Sequence, residues 1–162
     1  MSLMRPPLLH SRGFTLIEVM ICLTILAIGM LGMTALQNEV VKYNQSALTE
    51  SQAMFLLNDM SERIRANKGN DAYVIAYTEM APTQSVDCAA TACGSNDMVI
   101  WDLNQWRAKV QNTHLLPKGE SQIVYDSLTR TFTISIRYDW SRLGNGADLG
   151  DGLREVTITT RI

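Results

Sequence analysis

Histidine is almost missing from this 162-residue chain, which has only His10 and His114. Two histidines leave little material for a histidine-based catalytic or metal centre. An excess of positive charge is also missing. Fourteen Lys and Arg stand against sixteen Asp and Glu, a formal net charge of −2. A general nucleic-acid binder is thereby disfavoured, because neutralising phosphates takes a basic surface. Cysteine numbers three: Cys22 inside an apolar block, and Cys88 and Cys93 close together outside it, which fits one disulfide and one lone thiol. Charge is scarce from Phe14 to Leu36, where Glu18 stands alone, and neither Pro nor Gly occurs from Met33 to Lys68. What is present is 46% apolar and 19% charged, which excludes a disordered or collagen-like chain.

Residues 1–13 form a short leader carrying Arg5, His10 and Arg12 and no acid. The block 14–36 that follows would make a helix of about 35 Å, enough to cross a bilayer with some tilt. The basic leader is expected to stay in the cytoplasm and the rest of the chain to lie outside. An ordinary secretory signal has a shorter apolar stretch and a small-x-small cleavage site, of which Met33-Thr34-Ala35 is a poor version. A plain signal anchor leaves Glu18 unexplained. An ionised carboxylate inside a membrane span costs about 2.5–3.5 kcal/mol even on the lenient insertion scale, and such a residue implies a function and a partner. Cys22 reads as an inert thiol in lipid. Gly29 and Gly32 mark a flexible or close-packing point without the Gly-x-x-x-Gly spacing of a helix dimer face.

Gly13-Phe14-Thr15-Leu16-Ile17-Glu18 resembles the recognition site of type IV prepilins and the related pseudopilins. That resemblance implies a membrane prepilin peptidase that cuts between Gly13 and Phe14 and methylates the new N-terminus at Phe14. Before the cut the Phe14 nitrogen is an uncharged amide; afterwards it is an ammonium, and methylation keeps the charge. Glu18 could then neutralise the Phe14 ammonium of a neighbouring subunit. In a low-dielectric bundle the pair costs far less than either charge alone, and it would set the stagger between subunits. Many major pilins carry a proline near the end of this segment; here Ala35 and Leu36 stand there instead.

The helical pattern continues past the membrane block. Val40/Val41, Ala47/Leu48, Met54/Phe55, Leu57, Met60 and Ile64 recur at spacings of three, four and seven, which predicts an amphipathic stem over 37–67 laying one stripe on a core. Asp59 and Arg63 stand four apart in the favourable order. Arg63, Arg65 and Lys68 suit a helix C-terminus, and Gly69-Asn70 ends it. Residues 68–162 then form a head. Asp71 to Asp97 reads as loop, with a short helix near Ala72–Glu79. Within it, the four residues between Cys88 and Cys93 permit a disulfide, and an oxidising compartment favours one. Zinc lacks a second ligand pair in the head, and a redox centre lacks Cys-x-x-Cys spacing, so a structural staple is preferred. Asn96 or Asp97 is expected to cap a helix to about Gln111, with Val99, Leu103, Trp106 and Val110 on one face and Trp101 and Trp106 as core or packing residues rather than a ligand box. Leu116-Pro117-Lys118-Gly119 breaks the pattern.

The last third switches to period two. Ile123 and Tyr125, then Phe132 through Trp140, then Val156, Ile158, Thr160 and Ile162 read as strands with one buried face. The tight Asp126–Arg130 connection predicts a hairpin. The loop 142–152 holds Asp148 and Asp151 but lacks the ligand order of an EF-hand, so no metal is expected. The expected class is α+β: a long N-terminal helix packed on an antiparallel sheet of three or more strands.

Cys88…Cys93, Asp102-Leu-Asn-Gln-Trp106, Leu116-Pro-Lys-Gly119 and Tyr138-Asp-Trp140 look like the type IV pilus modification proteins, the PilV family of minor pilins. The resemblance implies a low-abundance subunit of the inner membrane, single-pass with a periplasmic head and later on the pilus at the cell surface. It would help start assembly with other minor pilins and the major pilin, near the fibre tip with an adhesin, in adhesion and twitching motility. A minor pseudopilin of a type II secretion system shares the anchor chemistry and is the alternative. A signal-anchored domain that never polymerises is a third reading. Loss of Arg5 and Arg12 with the leader takes the formal net charge from −2 to −4, so no nucleic-acid partner is expected. No nucleophile, base and orienter come together in the pattern, so neither a reaction nor a cofactor is expected.

Overall fold

The computed structural model describes residues 13–84, 86–140 and 152–161. Helix α1 runs over Leu16–Ala66 and α2 over Ser95–Val110; strands β1, β2 and β3 cover Glu120–Asp126, Thr131–Asp139 and Leu153–Arg161. The chain divides into two compact units, one ending at Val40 and one starting at Val41. In the first, every described residue is exposed, including the whole apolar run of α1. The second holds the core.

Thr15 starts α1: its hydroxyl accepts the Glu18 N–H at 3.3 Å while its carbonyl takes the first helical bonds. With no Pro or Gly from Met33 to Lys68, nothing interrupts the helix until Gly69, whose φ of +87° is a left-handed exit that glycine adopts without a Cβ penalty. From Ser46 onward α1 buries Ser46, Thr49, Ala53, Leu56, Leu57, Met60, Ser61 and Ile64. This corrects part of the expected stripe. Leu57, Met60 and Ile64 are buried, but Val40, Val41, Ala47, Leu48, Met54 and Phe55 are exposed, Phe55 at 69%. The physical reason is phase. Phe55 lies two positions from both Ala53 and Leu57, about 160° round the helix from each. The apolar positions therefore form two stripes, and the core accepts the one that also carries small residues.

The sheet is antiparallel in the order β1-β2-β3. Central β2 turns Phe132, Ile134, Ile136, Tyr138 and, just past its end, Trp140 into the core, as the alternation predicts. The register sets Ile134 between Ile123 and Ile158, and Tyr125 opposite Phe132 with ring centroids 4.6 Å apart. Asp126 closes the expected hairpin. Its carboxylate accepts the Leu128 N–H at 2.9 Å and the Thr129 hydroxyl at 2.7 Å. The Thr129 hydroxyl first, and then the Leu128 amide, hold this carboxyl below its ordinary value.

Helix α2 packs Val99, Leu103, Trp106 and Val110 into the same core. Trp106 is fully buried and its indole donates to the Leu56 carbonyl at 2.8 Å, while Trp101 is only half-buried and not a core residue. The cap also differs from expectation. Gly94 occupies the N-cap without a side-chain bond, because Asn96 is engaged by Asn70 and Asp97 already lies within the first turn. The expected short helix at Ala72–Glu79 is absent. Ile75 instead exchanges two backbone bonds with Ile123, extending the edge of β1, and the run Tyr73-Val74-Ile75 favours that extended form. The Arg107 guanidinium holds the following turn by donating to the Ala76 and Tyr77 carbonyls at 3.2 and 2.7 Å, and burial lowers its pKa.

Gly119 accounts for the break before the sheet. A Cβ there would overlap the Val110 carbonyl and press on Leu116, so the α2-to-β1 turn closes only on glycine. The loop carrying Asp148 and Asp151, and the last strand position Ile162, lie outside the described residues.

Two substitutions check this packing. Ile134→Ala should cost about 3 kcal/mol in denaturant unfolding, and Gly119→Ala about 1–3 kcal/mol. Phe55→Ala should stay within about 0.5 kcal/mol, because its ring leaves little water behind on folding.

Candidate processing and assembly segment

The N-terminal candidates occupy consecutive positions on one exposed segment. Gly13, Phe14 and Thr15 precede the helix, and Glu18 lies in its first turn. Phe14 is 84% exposed. A Cβ at Gly13 would meet nothing within 4 Å, so the fold of this chain places no demand for glycine there. Any demand has to come from whatever else reads the segment.

Thr15 and Glu18 have the Thr-x-x-Glu spacing of a capping box. The Thr15 cap was readable from that spacing and was missed, because the membrane cost of Glu18 dominated the reading. An acid in the first turn is also favoured by the helix dipole. The cap uses the Glu18 backbone, however. Among the described residues no hydrogen bond or ion pair engages the Glu18 carboxylate. Around it Leu16, Ile17, Val19, Met20 and Ile21 are all exposed. The arrangement offers an unpartnered anion at the start of an uncovered apolar helix. Cys22 is free and exposed; Gly29 and Gly32 sit within unbroken α1 with nothing close to them.

In the head, Cys88 and Cys93 are joined by a disulfide, as the staple reading expected. It closes the turn that leads into Gly94 and α2. A polar latch lies beside it. Asn67, past the end of α1, donates to the Tyr73 hydroxyl at 3.1 Å and the Ser95 carbonyl at 2.9 Å, and accepts from the Ser95 hydroxyl at 2.7 Å. Asn70 donates to the Ser95 hydroxyl and the Asn96 side chain, both at 2.9 Å. Asp102, whose side chain is 7% exposed, accepts Arg63 at 2.6 Å on one oxygen and the Tyr73 hydroxyl at 2.8 Å on the other. Asp59 adds bonds to Arg63 and Lys109, each at 3.2 Å.

Burial alone would lower the Arg63 pKa; the Asp102 and Asp59 carboxylates outweigh it and raise it. Burial pushes the Tyr73 phenol up. The bond from Asn67 opposes that and Asp102 adds to it. Arg63 thus stays charged and Tyr73 protonated, which suits a fixed latch rather than proton transfer. Asp102 appeared in the sequence only as part of a motif; its partners stand 29 and 39 positions away. Among the described residues no group of three His, Cys, Asp or Glu could hold a metal.

Residues 8–34 match the family described as the prokaryotic N-terminal methylation motif. Residues 35–104 match the family described as type IV pilin Tt1218. The chain is similar to type IV pilins. The long N-terminal helix with a small second helix and a three-stranded antiparallel sheet is a pilin-like α+β fold. The methylation-motif match contains Gly13, Phe14 and Glu18, and the pilin match contains the stem, the disulfide and Asp102. No curated protein and no solved structure matches the chain.

Asp102→Ala should cost about 1–3 kcal/mol, since it removes the buried acceptor of the Tyr73 phenol and leaves half-buried Arg63 with Asp59 alone, whereas Glu62→Ala, at an exposed pair with Arg65, should cost under about 0.5 kcal/mol. The raised phenol has a signed consequence. Folded Tyr73 keeps its proton where the unfolded phenol, at its ordinary 10.0, loses it. The stability from this group is complete below pH 10.0 and falls as pH rises above it. Unfolding measured from about pH 8 to about pH 11 should show this alkaline loss, and Tyr73→Phe should reduce it, the remainder coming from Tyr77, whose phenol burial pushes up to about 12.

Proposed function

We propose that this chain is a minor pilin of the PilV type. Prepilin peptidase cuts it between Gly13 and Phe14 and methylates Phe14. The match over residues 8–34 carries the reading: the motif lies where an exposed segment enters a helix whose apolar half is wholly uncovered. Before assembly that half, residues 14–36, spans the inner membrane, the stem over 37–67 continues it, and the head over 68–162 lies in the periplasm. After assembly the same apolar surface packs against other pilins, and Glu18 neutralises the Phe14 ammonium of a neighbour.

The minor role rests on the head. Its disulfide, α2 segment and Leu116-Pro-Lys-Gly119 turn carry the resemblance to the pilus modification family. In this role the chain primes the pilus with other minor pilins, stays near the tip beside an adhesin, and serves adhesion and twitching motility. The similarity of residues 35–104 to a type IV pilin favours the pilus over a type II secretion machine.

Mass spectrometry of sheared filaments should find Phe14, methylated, as the mature N-terminus. Gly13→Val should leave the full-length membrane form, and normal processing of that variant would refute the cleavage site. Glu18→Ala should be processed yet recovered in filaments at about a tenth of the wild-type level or less, the consequence of stranding a neighbour's charge in a low-dielectric core; wild-type piliation would remove the pairing. Deleting the chain should abolish surface pili; loss of exoprotein secretion with normal pili would instead select the pseudopilin reading.

A further inference from the structure

Four cations from three elements converge at one end of the head. Arg65 and Lys68 come from the end of α1, Arg130 from the β1–β2 turn, and Arg161 from the end of β3; with Gly69 they line an open cavity of about 570 Å³. Arg65 is held in place, donating to the Thr160 hydroxyl at 2.9 Å and pairing with exposed Glu62 at 3.0 Å. Among the described residues Lys68, Arg130 and Arg161 form no ion pair.

Compensation of the helix dipole accounts for Arg65 and Lys68 at the C-terminus of α1. It does not account for Arg130 and Arg161, which belong to the sheet. Arg130 also has a φ of 54°, a left-handed conformation that glycine or asparagine adopts more readily. Lys118, outside the cavity, has the same conformation at 49°; what sets Arg130 apart is that its turn carries a third cation into the cavity.

We propose that this cavity binds a compact phosphate group of the phosphomonoester or diphosphate class. Guanidinium forks match phosphate oxygens in pairs, and lysine adds a point charge. A single carboxylate would neutralise one of the four cations, whereas a phosphate carries nearly two charges and three acceptor oxygens. Four of the fourteen Lys and Arg line this one small cavity on a chain of net charge −2, which suits a compact ligand rather than a long polyanion.

The test uses the full chain in neutral detergent at about 0.1 M salt, where exposed charges more than about 10 Å apart are largely screened. Inorganic pyrophosphate represents free phosphate, dihexanoyl phosphatidic acid a lipid headgroup, and tetraglutamate an acidic protein segment. Saturable pyrophosphate binding is expected, weakened about tenfold by Arg130→Gly and by Lys68→Gln and unchanged by Lys118→Gln, a cation outside the cavity. Arg130→Gly eases the turn, so its thermal melt should match the wild type while binding falls. Phosphatidic acid binding with the same variant pattern, alone or beside pyrophosphate, also supports the site and identifies a headgroup as a source. Absence of saturable binding by both phosphate probes, equal or tighter binding of tetraglutamate, or equal weakening by Lys118→Gln overturns the proposal.

Discussion

From Leu16 to Leu36 helix α1 is apolar and buries nothing, while from Ser46 to Ile64 it contributes a stripe to a closed core. The same backbone ladder therefore serves two environments. Beyond its first turn, the first stretch pairs its main-chain groups along the helix's own ladder, which is the condition for backbone to sit in lipid. In the second, Leu56, Leu57, Met60 and Ile64 supply the apolar area, beside buried Ser46, Thr49, Ala53 and Ser61. Everything else in the head is arranged around that stripe. Central β2 lies across the core, Trp106 fastens α2 to the Leu56 carbonyl, and Ile75 closes the outer edge of β1.

The latch beside the disulfide solves a separate problem. The segment from Asn70 to Gly94 contains little regular structure, so backbone pairing alone holds it weakly. Its ends are fixed by polar bonds: Asn67 and Asn70 to Ser95 at one side, Tyr73 to Asp102 within, and Arg107 to the Ala76 and Tyr77 carbonyls. The Cys88–Cys93 bond then closes the turn before α2. Asp102 is the centre of this set because it is the buried acceptor for both a guanidinium and a phenol.

Signals repeated along the chain were the legible ones. The membrane-length block, the period-two strands, the hairpin at Asp126 and the α2 face of Val99, Leu103, Trp106 and Val110 could all be read because each rests on several residues in one period. The close spacing of Cys88 and Cys93 made their pairing legible too. The reading failed where several local patterns competed for one long-range partner. Tyr73 to Ile75 could have begun a helix, and pairing with Ile123, 48 positions along the chain from Ile75, decided otherwise. Phe55 and Leu57 both fitted an apolar repeat, and only the position of the sheet selected between them. Gly119 looked like a generic breaker until the Val110 carbonyl stood where its Cβ would be. Of the proposed N-terminal site, the motif Gly13-Phe14…Glu18 was plain, while the Thr15 cap was hidden behind the more conspicuous acid.

That cap bears on how Glu18 could serve two ends. The Thr15 hydroxyl takes the Glu18 backbone N–H, so the carboxylate is not spent on starting the helix. A cut between Gly13 and Phe14 would leave the cap intact, because Thr15 lies on the retained side. It would also put an ammonium one residue before the cap, at the end of α1 where the helix dipole is already positive. Two positive features would then meet in an apolar setting with little solvent to screen them, and a nearby anion is what lowers that cost. Glu18 is the one acid from Phe14 to Leu36. No described residue of the head engages its carboxylate, so the proposed cleavage is what would give that acid an electrostatic partner.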